Sequence, residues 1–253
     1  MYTSPVLSAN LRIAFAFVAI FFALGLHMPY FPVWLDSRGL SAESVGLVLG
    51  VITWMRVFAN PLFGRLSDKL GQVKLPALAL AIGTAASYGL FGITSTLLEM
   101  MAVGVLLGFM FSPLIPLTDS VAIRLGNAGR ADYGRLRLWG SAAFIAASKT
   151  GGMIHEHGDE DDILTAVRIA AVVVVFAVLL MPSKAALPPR EPKVEARGKP
   201  RRSHLAFLLT TGVLHASHAM LYVFGTTYWR SLGIDDATIG TLWSVGVVAE
   251  IGL

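Results

Sequence analysis

The sequence predicts an all-α, polytopic membrane protein: a six-helix bundle followed by the opening helices of a second, truncated bundle. Three observations carry this. Of its 253 residues, 55% are hydrophobic and only 14% charged, against about 25% charged in soluble domains; mean hydropathy is +0.67. Apolar stretches of spanning length recur between short polar loops. Lys and Arg crowd into alternate loops.

Crossing a hydrocarbon core of about 30 Å takes about 20 apolar residues at 1.5 Å each. Seven stretches qualify: 11–35, 44–63, 75–94, 97–122, 136–155, 163–182 and 205–229. The first is too long for a signal-peptide core and reads as a spanning anchor. An eighth begins near Thr238; its 16 residues to Leu253 reach about 24 Å as helix. Residues 1–182 therefore read as a six-helix unit, 183–204 as a linker, and 205–253 as the truncated start of a second unit.

Fifteen of the twenty basic residues fall on one side of these spans: Arg12, then Arg65, Lys69 and Lys74, then Arg124, Arg130, Arg135 and Arg137, then seven in 184–202. The other side has Arg38 and Arg230, while Arg56, Lys149 and Arg168 lie within spans. Positive charge marks the cytoplasmic side, so the N-terminus is expected there. The acidic run HEHGDEDD (155–162) then lies outside, read as a solvated loop. The Pro-rich, basic stretch KAALPPREPKVEARGKPRRS (184–203) reads as a flexible cytoplasmic linker, with contact to anionic lipid as the alternative. Nothing else resembles nucleic-acid recognition. With no cysteine, disulfides, thiolate nucleophiles and cysteine metal sites are absent.

Shifting the chain by 194 residues lays DSRGLSAESVGLV (36–48) over RSLGIDDATIGTL (230–242) without a gap. Ser37 meets Ser231, Gly39 meets Gly233 and Gly46 meets Gly240, and three further pairs are similar. The last two spans thus repeat the first two. Two parallel six-helix halves are the layout of the major facilitator superfamily. A complete second repeat ends near residue 388 by this arithmetic. The shift also sets Glu250 over Arg56. Arg56 lies about 18 Å into its span, near the midplane, where a charge faces a cavity or a partner.

Three stretches make a resemblance specific. FGRLSDKLGQVK (63–74) resembles the superfamily's loop motif at Gly64, Asp68, Lys69 and Gly71, departing from it at Gln72 and Val73. FSPLIPLTDSVA with DYGRLRLWGSAAF, and TYWRSLGIDDATIGTLWSVGVVAE, look like the 3-phenylpropionic acid transporter-like branch. The resemblance covers essentially the whole chain. It implies a twelve-helix, proton-coupled transporter of a small aromatic carboxylate working by alternating access. It also implies that Asp68 closes the cytoplasmic side, with Arg124 as partner.

Several polar groups within the spans are candidates for the substrate or proton pathway. Thr53, Arg56 and Asn60 share one helical face; Arg56 either attracts a carboxylate or locks two helices. Asp119 follows Pro113 and Pro116 in SPLIPLTDS (112–120), where prolines free backbone carbonyls. It is either a proton carrier or an acid paired with Arg124 or an arginine of the next span. Arg137 is either an interfacial anchor or Asp119's partner in a cytoplasmic gate. Lys149 lies 12 residues deeper, with Glu250 as a candidate neutralising acid. Thr211, His215, His218, Tyr222 and Thr226 form a polar stripe on the seventh span, with His218 its candidate pH-sensitive group. His27, Tyr30 and Trp34 are placed on the corresponding face of the first span. His215 and His218 lack a nearby carboxylate, so neither metal nor cofactor is expected.

The expected partners are protons, lipid and a small organic acid, with Tyr30, Trp54 or Tyr222 against its ring. Alternatives are a sugar or nucleoside permease, an inactive or regulatory membrane fragment, and an intramembrane enzyme. The last lacks a nucleophile–base pair: Ser217 and His218 are adjacent and diverge on a helix.

Overall fold

The computed structural model describes residues 5–188 and 202–252. Among them are ten α-helices, one 3-10 turn and no strand. The helices are α1 (Pro5–Ser37), α2 (Ala42–Leu70), α3 (Lys74–Phe91), α4 (Leu97–Phe111), α5 (Leu114–Asn127), α6 (Tyr133–His157), α7 (Glu160–Leu180), α8 (Arg202–Ser217), α9 (Ala219–Ser231) and α10 (Asp236–Gly252). Six segments are long and apolar enough to cross a membrane: 9–37, 42–70, 74–91, 97–127, 160–180 and 202–231. At 25 residues α6 has the length as well, but Arg135, Arg137, Lys149 and its paired glycines make it more polar. Most of the expected linker, residues 189–201, lies outside the described residues.

Helix α1 is the hub. It packs along α6 and α7 and touches α5, α2 and α9, while α2 lies on α4, α3 on α4 and α7, and α10 on α6. Within lipid, apolar burial does not drive helices together; close packing of small residues does. Gly108 of α4 shows this: an added Cβ would sit 2.2 Å from the Ile52 carbonyl oxygen of α2.

Two expected continuous spans are broken. The fourth divides into α4 and α5 at Ser112–Pro113, because proline has no N–H to continue the ladder. The seventh divides into α8 and α9 at His218 without any proline. There the Ser217 hydroxyl donates to the Leu214 carbonyl at 2.7 Å, and His218 Nδ1 lies 2.8 Å from the same oxygen. The His218 N–H turns instead to His215 O at 3.2 Å. Side chains competing for one carbonyl tighten the turn there, midway along the polar stripe.

The acidic run is largely solvent-exposed, as expected, but it is not a loop. His155 to His157 complete α6, and Glu160 opens α7. Between them the Asp159 N–H donates to Asp162 Oδ2 at 3.0 Å, closing the chain onto the first turn of α7. Asp161 is pinned by Trp34 Nε1 at 3.0 Å and by an ion pair with Arg38, whose guanidinium also covers the Trp34 ring.

Arg168, which sequence placed within a span, has a local task. It donates to the Tyr88 and Gly89 carbonyls at 3.0 and 3.2 Å, supplying partners to the free carbonyls at the C-terminus of α3.

The repeat is visible in the backbone. Gly39 and Gly233 both take positive φ, 78° and 79°, and each N–H bonds a carbonyl three residues back at 2.9 Å. Ser41 and Asp235 then cap α2 and α10 through the N–H groups of Ser44 and Thr238.

Candidate functional site

The candidate site residues fall into three groups. One lies at the end that carries the basic loops, here the basic face. One lies mid-span. One lies at the opposite, acidic face.

At the basic face, Asp119 of α5 and Arg137 of α6 come together, Nε to Oδ1 3.8 Å, and the Tyr133 hydroxyl donates to the same Oδ1 at 3.1 Å. The Arg137 guanidinium also lies 4.0 Å from the Phe21 ring centre of α1, within cation–π range. Phe21 thus joins a three-helix contact that spacing alone did not reveal. The loop-motif glycine Gly71 has φ 62°, and its N–H and that of Gln72 bond the carbonyls of Asp68 and Ser67. This is a left-handed helix stop, the conformation glycine adopts without a Cβ penalty. Lys69 lies in the last turn of α2, where a cation suits the helix dipole. Lys184 reaches this corner: its Nζ would lie 2.8 Å from a Cβ on Gly71. Asp68 and Arg124 are both engaged in interactions. An added Cβ on Gly64 meets nothing within 4 Å.

Mid-span, Arg56 is the middle residue of α2 and stands exposed with Thr53 and Trp54. No acid lies within 4.0 Å of it among the described ion pairs. Its charge acts on His27 of α1, which is not on an open wall as expected. His27 is buried, stacked 4.7 Å from Phe31 and edge-on to Tyr88 and Phe111. Aromatic neighbours on α1, α3 and α4 enclose it, because its face of α1 points into the bundle. Its Nδ1, the Tyr88 hydroxyl and the Ser112 hydroxyl are buried without hydrogen-bond partners. Tyr88 is the residue of this cluster that sequence reasoning missed, since a lone tyrosine in an apolar span carries no pattern.

The polar stripe of α9 faces α10. Tyr222 stacks on Trp243 at 6.1 Å, with His218 tilted beside it, and Trp243 Nε1 donates to the Thr226 hydroxyl at 2.9 Å. Glu250, two turns beyond Trp243, is the charge acting on Tyr222. It does not pair with Lys149. The Cα of Lys149 lies 3.2 Å from a Cβ built on Gly240, and Glu250 is ten residues further along α10, about 15 Å.

At the acidic face the two repeats meet. Tyr30 is fully buried and donates to the Ser148 carbonyl at 2.7 Å. It is therefore a seam residue between α1 and α6, not an open cavity wall. A Cβ on Gly152 would lie 2.4 Å from the Asp236 carbonyl oxygen; one on Gly240 would lie 2.6 Å from that of Ser148. Bare backbone on both sides lets α6 and α10 touch. Arg230 and Asp236 form an ion pair, Nε to Oδ1 3.3 Å.

A hub helix, two proline- or side-chain-broken spans and a parallel repeat closing at one face define a multi-pass membrane protein with a secondary-transporter fold. The chain belongs to the MFS_1 like family, which matches residues 10–253, within the major facilitator superfamily, whose members are transporters and not enzymes. It is 30% identical over 97% of its length to the probable 3-phenylpropionic acid transporter of Escherichia coli, covering 66% of that protein. It is 31% identical over 69% of its length to the maltose permease of Geobacillus stearothermophilus, covering 42% of it. The chain thus spans no more than about two thirds of these relatives. The crystal structure of the nucleoside transporter NupG (D323A mutant) superposes with a TM-score of 0.75 at 18% identity, over 96% of this chain and 65% of that one.

Proposed function

We propose that this chain is the greater part of a proton-coupled importer of a small aromatic carboxylate such as 3-phenylpropionate, working by alternating access. Residues 1–182 form its first half, 183–204 the linker and 205–253 the start of its second half. The basic face, with the N-terminus, is cytoplasmic in a bacterial inner membrane, as the charge asymmetry of the loops supports.

The observation that carries the reading is Arg56. A cation midway along a span does not face lipid, so the uncovered face of α2 that bears it lies against a water-filled cavity or the rest of the second half. Arg56 there meets the substrate carboxylate, and Trp54 and Tyr222 meet the ring. Asp119, held between Arg137 and Tyr133, carries the proton, and Lys149, Glu250 and His218 contribute to the polar pathway. Gly64, Asp68, Lys69, Gly71 and Arg124 form the cytoplasmic gate. The name of the Escherichia coli relative supports the aromatic acid; a sugar or nucleoside is the second reading, supported by the maltose permease and NupG likenesses.

The test uses a chain supplied with the remaining helices of the second half, reconstituted in proteoliposomes. An inward proton gradient is expected to drive uptake of 3-phenylpropionate, with Arg56→Ala abolishing it and Arg56→Lys retaining part. Uptake of maltose or nucleosides but not the acid would favour the second reading. Unchanged acid uptake by Arg56→Ala removes Arg56 from the mechanism.

A further inference from the structure

His155 belongs to the acidic run that sequence assigned to solvent, yet it is 6% exposed and sits where the repeats meet. Every packed element presents a group to it. From α1, the Tyr30 ring stands edge-on at 6.1 Å, its hydroxyl committed to Ser148. Arg230 of α9, Asp236 of α10 and Glu160 of α7 are the charges acting on the imidazole. On its own helix Glu156 and His157 are exposed. The remaining acids nearby are engaged: Asp161 with Arg38 and Trp34, Asp235 with Thr238. His155 Nε2 is buried with no hydrogen-bond partner.

We propose that His155 is a proton-binding site that controls the gate at the acidic face: protonation there releases α10 from α6 and opens that side. This rests on the reading above that the acidic face is outside and that protons act on transport.

Charging a buried imidazole that lacks an acceptor is costly, and exposing it to water removes that cost. A proton therefore binds the open arrangement better and shifts the population toward it. Structure supplies the lever. Asp236, the acid of the second repeat whose charge acts on His155, is already held by Arg230, so imidazolium and guanidinium compete for one carboxylate. Asp236 is the first residue of α10, and its carbonyl is the atom resting against Gly152. Any shift of Asp236 moves the contact that holds the face shut. The proton comes from the outer solution and returns to water; no other group is transferred.

The absence of cysteine makes the test direct. Ser244→Cys places a thiol on the buried side of α10, where Ser244 is 4% exposed. In intact cells its labelling by a membrane-impermeant thiol reagent is normalised to Ser95→Cys in an exposed loop, which removes the pH dependence of the thiol itself. Normalised labelling is expected to rise about tenfold when the outer pH is lowered from 7.5 to 5.5. In His155→Gln it stays flat, whereas His157→Gln behaves as the parent. His155→Arg, a permanent cation, labels fast at both pH values and guards against misreading a folding defect in the glutamine variant. An unchanged pH response in His155→Gln, a flat response in the parent, or slow labelling of His155→Arg overturns the proposal. Labelling needs no transport. A preserved labelling response with no proton-driven uptake would remove the transport reading alone, and proton-driven uptake with a flat response would remove the gate alone.

Discussion

Gly39 and Gly233 stand 194 residues apart and hold the same left-handed backbone, φ 78° and 79°. Each closes the turn after a span of one repeat, and each is followed by a side-chain cap on the next helix. The duplication thus extends to single dihedral angles.

Either turn depends on glycine. Gly39→Ala and Gly233→Ala are each expected to cost about 1–2 kcal/mol, the penalty of the left-handed region for an L-residue. Neither meets atoms within 4 Å, so the cost is backbone strain alone. Thermal unfolding in detergent should show two comparable losses that add in the double variant.

The caps that follow differ in chemistry and so in pH response. Asp235 accepts from the Thr238 hydroxyl at 2.7 Å and its N–H at 2.8 Å, and these bonds hold its carboxyl below the usual range, the hydroxyl having the greater effect. A depressed folded-state value means the cap contributes above the unfolded value of about 3.9. That contribution disappears as pH falls through the folded value. Fraying at the start of α10, followed by hydrogen exchange, should increase with acid below about pH 4. The start of α2, capped by the hydroxyl of Ser41, should not respond. Asp235→Asn should remove the difference.

At the seam between repeats, Gly240→Val is expected to separate α6 from α10, because the obstructing atom is the Ser148 carbonyl oxygen of the backbone and cannot swing aside. Spin labels at Ser37 and Asp235 should report a longer, broader distance. Gly246→Val, with open space around it, should leave the distance unchanged. Equal behaviour of the two variants would remove the seam as a close-packed contact.

The Asp119–Arg137 contact is partly buried, with side chains 22% and 33% exposed. A double-mutant cycle with Asp119→Asn and Arg137→Gln is expected to give a coupling of about 1 kcal/mol. Tyr133→Phe should lose a smaller amount, having removed one hydrogen bond to the same oxygen. A coupling near zero would make Arg137 an anchor held by the Phe21 ring alone.

Much of the fold was legible because lipid imposes a simple rule: each crossing must be long, apolar and helical. Span positions, the repeat and the Pro113 break follow from that rule and from local chemistry. The pairing of Asp119 with Arg137 was legible only as one of several alternatives, beside Arg124 or a plain interfacial anchor, and the structure selects it. Which side of a helix is covered was not. His27 and Tyr30 read as one polar face with Trp34, yet three helices enclose His27 while Tyr30 turns to α6. Lys149 and Glu250 read as partners by charge, and rise along α10 separates them.

By itself the sequence determined the helical membrane architecture, its duplication, its charge asymmetry and the family to which it belongs. Those properties are carried by period, length and local composition. Only the tertiary structure decided that the acidic run is two helix ends, that His155 is buried, and that Gly152 and Gly240 bring the repeats into contact. Such contacts join residues 80 or more positions apart, and their geometry depends on how bare backbone surfaces meet, which no local pattern records.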